Sequence, residues 1–115
     1  RTAAALLARP LCGERRAAYA YVAPENRATF AAYVGQQLAH CVDLRASSEL
    51  ISAGWFGPAP CHPRLAARVG DYTLLMRENW TIKDQLPGEQ QHRMLGVHGG
   101  VSDDEMVVPL VAVRA

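Results

Sequence analysis

The spacing of apolar residues predicts the order helix, strand, helix, strand, helix, followed by a strand-rich second half. Thr2 is expected to cap a first short helix, which Pro10 stops because proline cannot continue a helix. Residues 11–14 follow as a turn, and residues 17–22 are typical of a strand. Pro24 opens the main helix, whose apolar face is marked by residues at steps of three and four: Phe30, Tyr33, Val34, Leu38 and Cys41.

Shorter elements complete this prediction. A brief strand over 42–44 precedes a helix capped by Ser47, and residues 67–76 are a turn leading into a buried strand. Residues 79–93 form an exposed connection that could include a short strand at 80–82. The run 106–113 is almost entirely apolar, which is typical of a strand covered on both faces. Pro109 removes one ladder donor, so that strand would lie at an edge or carry a bulge.

The expected fold class is therefore α/β or α+β, with a small mixed sheet of four to five strands and two to three helices. With 115 residues, half of them apolar, the chain is one domain over residues 1–115 that buries roughly 65% of its unfolded surface. Trp55 and Phe56 are expected in its core, with the lining of a substrate entry as the alternative. Asp71 is expected to be structural, with a substrate contact as the alternative. Because the chain starts at Arg1 rather than Met, we expect it to be part of a longer protein.

The charge balance excludes some classes of partner, and the cysteine content indicates a cellular compartment. Twelve basic and eleven acidic residues leave a net charge of +1, without the basic stripe that a nucleic-acid polymer would require. Three scattered cysteines fit a reducing compartment, so a cytoplasmic location is expected. No apolar run approaches the roughly 20 residues that a membrane-spanning helix needs.

His98 is the histidine whose surroundings favour chemistry. It follows the apolar residues 94–97 and precedes Gly99 and Gly100, so its side chain could face a cleft where the backbone turns sharply. A metal ligand is one interpretation; a core histidine bonded to a backbone carbonyl is the other. The adjacent Cys61 and His62 would point to opposite faces of a strand, which disfavours a metal pair.

The remaining motifs have structural explanations. His40 ends a helix, where its imidazole suits the helix dipole, and His92 is expected at the surface. Ser102 and Glu105 have the spacing of a capping box, which accounts for the acidic run 103–105; an acidic metal site is the alternative. The chain contains no nucleophile elbow, phosphate loop or dinucleotide-binding glycine motif.

Two segments resemble the C-terminal end of a known enzyme family. Residues 68–72 (RVGDY) and especially 96–110 (GVHGGVSDDEMVVPL) are similar to the end of bacterial type I phosphodiesterases/nucleotide pyrophosphatases of the alkaline phosphatase superfamily. The resemblance implies an α/β hydrolase with two divalent metal ions, usually zinc, and a Thr or Ser nucleophile. It also implies that His98, in the terminal H-G motif, is a metal ligand.

The departures from that family set the expected role of this chain. It has no Asp-His pair, whereas the family's nucleophile and most metal ligands come earlier, partly in an Asp-His-Gly motif. The chain would then be the C-terminal part of a phosphate-ester or nucleotide hydrolase, inactive alone and partnered by the rest of that polypeptide. The alternatives are a non-catalytic ligand-binding or assembly module, which could form a homo-oligomer, and a structural cap domain.

Overall fold

The fold is a four-stranded antiparallel sheet with helices on both faces. The computed structural model describes residues 2–90 and 94–114. The strands are β1 (Cys12–Gly13), β2 (Ala17–Ala20), β3 (Val42–Ala46) and β4 (Tyr72–Met76), in the order β1-β2-β4-β3. The α-helices are α1 (Arg27–Gln37), α2 (Ser47–Ser52), α3 (Leu65–Val69) and α4 (Asp103–Met106). Single 3-10 turns occur at Ala3–Leu6 and Pro24–Asn26.

This architecture confirms the expected α/β or α+β class with a sheet of four strands, but the sheet is antiparallel rather than mixed, and the described residues form four α-helices where two to three were expected. Each described strand pairing is antiparallel: Ala18 lies opposite Leu74, which in turn lies opposite Leu44. The strand predicted at 17–22 is present as β2, and the helix with apolar steps of three and four is α1. Within the described ranges, no helix combines the length and apolarity needed to span a membrane.

Helix α1 covers one face of the sheet. Phe30 and Val34 lie on its inner side and are almost completely buried. They pack in a cluster with the small residues Ala18 and Ala20 of β2, which alternate with partly exposed neighbours as expected for a strand. Small side chains on β2 let the aromatic ring of Phe30 approach the sheet closely, so this face forms the main core.

Helices α2 and α3 cover the second face. Ser47 Oγ lies 2.9 Å from the carbonyl oxygen of Val69, to which it donates, and 2.9 Å from Thr73 Oγ1 of the central strand β4. The prediction of Ser47 as a helix cap is therefore wrong. Strand β3 runs directly into α2, so Ala46 takes the cap position and the Ser47 hydroxyl is buried between the elements.

Local predictions near the N-terminus also need correction. The turn expected at 11–14 contains the short strand β1, which pairs with β2 in a hairpin. Thr2 makes no side-chain cap, and the first helix is a single 3-10 turn. It ends early because Leu7 forms an antiparallel bridge with Val22.

Three predictions from the second half differ as well. Residues 65–69 form α3 where part of a turn was expected, and no strand forms at 80–82. Trp55 is 51% exposed, so its core assignment is wrong, whereas Phe56 is partly buried with its ring 6.3 Å from that of Tyr19. The prediction for His92 falls outside the described residues.

The strand predicted over 106–113 is the largest error. Met106 ends α4, and residues 107–113 have no regular structure and are exposed. A strand that is apolar on both sides needs a covering layer on each face. The sheet of this domain already uses its own helices to cover both faces, so it offers no such place. We call residues 106–113 the apolar tail.

Candidate functional site

A buried ion pair fastens the loop that carries His98 to the sheet. Arg16 immediately precedes β2, and its side chain is only 6% exposed. Its Nε and Nη2 donate to Glu105 Oε1 and Oε2, each at 2.8 Å, while Nη1 donates to the carbonyl oxygen of Trp80 at 2.7 Å. This fork geometry gives a guanidinium its strongest contact with a carboxylate. The C-terminal segment is therefore attached to the start of a sheet strand.

The same carboxylate also organises its own loop. Glu105 Oε1 accepts the backbone N–H of Gly100 at 3.2 Å, and Oε2 accepts the backbone N–H and hydroxyl of Ser102 at 3.3 and 2.7 Å. The capping box predicted for Ser102 and Glu105 is confirmed. Glu105 thus joins three parts of the molecule: the start of β2, the glycine loop and helix α4.

The two glycines after His98 are required by this packing. A Cβ on Gly100 would collide with the Glu105 carboxylate. Gly99 has φ +91°, a conformation that side chains rarely adopt, and a Cβ there would lie 2.8 Å from Cβ of Glu14. The loop therefore passes closely over the ion pair, which fixes its path on both sides of residue 99.

The charges of the pair stabilise each other. Hydrogen bonding from Arg16, followed by that from Ser102, lowers the pKa of Glu105 from its usual value of 4.5 to about 2. The hydrogen bond to Glu105 in turn raises the pKa of Arg16. Both directions agree with the geometry, so the carboxylate and the guanidinium are ionised together at neutral pH.

His98 itself is exposed on this braced loop. Within residues 2–90 and 94–114, its imidazole has no hydrogen bond or ion pair, so it is not the core histidine bonded to a carbonyl. A cavity of about 500 Å³ lies beside the loop and is lined on one side by Val97 and Leu95 and on the other by Arg16 and Thr81. His98 is not one of its lining residues, so the expected cleft-facing side chain is not observed.

The described residues do not form a complete metal centre. In this part of the chain, no group of three or more His, Cys, Asp and Glu side chains is close enough to hold a metal ion. The Nδ1 atom of His62 accepts the backbone N–H of Arg64 at 3.1 Å, and Glu105 is committed to Arg16. His98 can offer one nitrogen ligand, and a site of three or more ligands that includes it would need at least one residue outside the described set.

Other candidate residues have structural roles. Asp71 accepts the backbone N–H of Val22 at 2.8 Å and pairs with Arg27, which agrees with its structural prediction. His40 packs edge-on against the ring of Trp80 at 5.4 Å. Sequence reasoning did not identify Arg16. The capping-box motif pointed to Glu105, but nothing local could identify its partner 89 positions earlier.

Exposed apolar residues are concentrated in the segment that carries His98. Of the twelve exposed large hydrophobic residues in the part of the chain that the structure describes, nine lie between residues 94 and 113. They are Met94, Leu95, Val101, Met106, Val107, Val108, Leu110, Val111 and Val113. Large exposed apolar surfaces can mark interaction sites. The exposed imidazole and the apolar tail lie in the same stretch of sequence, residues 94–113.

Comparisons with models of protein families, with curated proteins and with solved structures find no match in any of the three. The functional argument consequently rests on the geometry of the His98 loop, on the apolar tail and on the motifs in the sequence.

Proposed function

We propose that this chain is the C-terminal portion of a metal-dependent hydrolase of the phosphodiesterase/nucleotide pyrophosphatase type, in which His98 supplies one metal ligand. The observation that carries the proposal is the combination of an exposed imidazole, held on a braced loop, with an apolar tail that nothing covers. The resemblance of residues 96–110 to the end of that family supplies the class of substrate, a phosphate ester or nucleotide.

The apolar tail supports a partner polypeptide of substantial size. Residues 107–113 are apolar at every position, so both sides of an extended segment would need covering. Burying an exposed Val or Leu side chain contributes about 1.5–3 kcal/mol. The five Val and Leu side chains of this stretch would together contribute about 8–15 kcal/mol before the cost of ordering. The remainder of the hydrolase would provide that covering as the neighbouring strands and helices of its own sheet.

The His98 loop fits the role of a ligand carrier because its geometry is set before any partner binds. Arg16 and Glu105 hold Gly100, two residues beyond the imidazole, on the surface of this domain. A neutral imidazole is a common zinc ligand, and a bound metal pair would screen phosphate charge. Since the described residues form no group of three or more possible ligands, the partner polypeptide would complete the ligand set and supply the nucleophile.

The test is to express the full polypeptide whose gene contains this sequence and to compare His98→Ala with His62→Ala, another exposed loop histidine. Bound zinc is measured by elemental analysis and hydrolysis with bis(4-nitrophenyl) phosphate. We expect His98→Ala to lose about one zinc equivalent and at least about 100-fold in kcat, because a direct metal ligand is removed. His62→Ala should match the parent protein. Equal zinc content and activity in both variants would refute the assignment.

The 115-residue chain provides a second, simpler measurement. Purified alone and supplied with zinc, it should show no turnover, since its described residues form no group of three or more possible metal ligands. Metal-dependent turnover by this chain would contradict the proposal directly. The second candidate, a non-catalytic assembly module, is favoured by the same exposed tail. It predicts that the full polypeptide keeps its oligomeric state without zinc and has no hydrolase activity.

A further inference from the structure

A groove of about 510 Å³ lies at the opposite end of the sheet from the His98 loop. The His98 loop is tied to the residue before β2, whereas this groove lies where β2 ends and β4 begins. Its volume is within the range typical of small-molecule sites, about 300–1,000 Å³. We call this cavity the Arg9 groove. Six of its lining residues determine its charge and polarity: Arg9, Tyr21, Arg27, Ser48, Ile51 and Asp71.

Backbone pairing fixes the position of Arg9. Leu7 bridges to Val22, and the N–H of Ala8 donates to the carbonyl oxygen of Tyr21 at 2.7 Å. Pro10 disfavours a helical conformation at Arg9, and the chain bends at this residue. These constraints set the Arg9 guanidinium carbon over the Tyr21 ring, 3.3 Å from the ring centroid. The cation is therefore held in place without a carboxylate.

The stacked arrangement leaves the guanidinium donors available. Tyr21 is anchored because its hydroxyl donates to the carbonyl oxygen of Arg68 at the end of α3. Over residues 2–90 and 94–114, Arg9 has no hydrogen bond or ion pair, and the ring contact occupies only the face of the guanidinium. Its N–H groups lie in the guanidinium plane and suit two-point recognition of an oxyanion.

The remaining charges in the groove do not neutralise Arg9. Asp71 is engaged by Arg27 Nη2 and by the backbone N–H of Val22. With two arginines and one aspartate, the charged lining carries a net charge of +1. Ile51 and three alanines contribute apolar surface to the same lining. The lining thus combines an oxyanion site with a surface for an organic body.

We propose that the Arg9 groove binds a small organic anion, with its carboxylate or phosphate head on the Arg9 guanidinium and its apolar body against Ile51. This proposal does not depend on the hydrolase assignment, since no residue of the groove touches the Arg16–Glu105 pair or His98.

The test is an amide NMR titration of the chain with benzoate and with phenyl phosphate, with benzyl alcohol and chloride as neutral and ionic controls. We expect saturable shifts at the Ser48 and Asp71 amides with one or both aromatic anions, and none with either control. The two anion arms identify the preferred head group. Shifts that rise linearly, or that appear equally with benzyl alcohol or chloride, would overturn the proposal.

Variants then locate the site. Arg9→Gln should weaken binding at least about tenfold, because it removes a charge-assisted contact. Arg114→Gln makes the same charge change in the exposed tail and should bind like the parent chain. Ser48→Asp places a carboxylate at an exposed lining position, so it should abolish binding while retaining the β2 and β4 amide spectrum. Equal affinity in Arg9→Gln and Arg114→Gln, or undiminished binding in Ser48→Asp, would refute the assignment.

Discussion

Replacing Glu105 with Gln should release the His98 loop while the sheet stays folded. Glutamine keeps the size of the side chain but removes the charge that Arg16 meets with two hydrogen bonds of 2.8 Å. It can also accept on only one atom, so the Gly100 and Ser102 amides can no longer both keep their contacts. The loop and α4 depend on this one carboxylate, whereas the core formed by α1 and the sheet does not include it.

The size of the effect follows from the pKa of Glu105. The gap between 4.5 and about 2 corresponds to about 3 kcal/mol of preference for the ionised form in the folded state. The Glu105 side chain is 23% exposed, so solvent screening reduces this to about 2 kcal/mol. That free energy is a factor of about 30 in the equilibrium between attached and released loop. Leaving Arg16 buried without its counter-charge acts in the same direction.

Hydrogen exchange at pH 7 measures this equilibrium directly. We expect the Gly100 and Ser102 amides to exchange about 10- to 30-fold faster in Glu105→Gln, with the Leu74 amide of the central strand unchanged. Asp104→Asn is the matched control, because it makes the same charge change on α4 at an exposed residue. If both variants accelerated exchange at Gly100 equally, loss of one negative charge would explain the result and the bracing role would be refuted.

Four further predictions concern the same architecture. Folding lowers the pKa of Glu105, so the contribution of the ionised carboxylate to the free energy of loop attachment is complete above about pH 4.5 and is lost as the pH falls towards 2. The chemical shift of the Gly100 amide should therefore report release of the His98 loop only on acidification. Gly100→Ala should accelerate loop exchange and Gly96→Ala, which has open space, should not; the reverse order would contradict the packing. Phe30→Ala should lower the free energy of unfolding in urea by about 3–5 kcal/mol, and a loss below 1 kcal/mol would place the core elsewhere. Val111→Asp should change the free energy of unfolding in urea by less than about 0.5 kcal/mol, because Val111 is 86% exposed. A larger loss would mean that the tail packs on this domain.

Local signals predicted the elements whose partners are near in sequence. The steps of three and four residues around Phe30 located α1, and the capping-box spacing located α4. The run ending at Met76 located the central strand β4. In each case the pattern is set by a period or a motif that the element itself contains.

Predictions failed where the decisive contact is remote. Ser47 has the sequence signature of a cap, yet its hydroxyl bonds to Val69 and Thr73, more than twenty positions away. The contact of Arg16 with Glu105 could not be predicted for the same reason, since a buried arginine is indistinguishable from an exposed one in sequence. The prediction of a strand in the apolar tail failed for a different reason. Its apolar pattern predicted a strand covered on two faces, whereas residues 107–113 are exposed and have no regular structure.

The His98 loop and the apolar tail would contribute differently to association with the proposed partner polypeptide. Fixing one residue of an extended tail costs about 1–2 kcal/mol, or about 8–16 kcal/mol for its eight residues. Burial of its Val and Leu side chains contributes about 8–15 kcal/mol, so docking of the tail alone is close to balanced. The His98 loop does not add to that cost, because Arg16 and Glu105 already hold it in place. In the proposed hydrolase, a contact from the imidazole to the partner polypeptide would therefore add to a nearly balanced association rather than offset the ordering of its own loop.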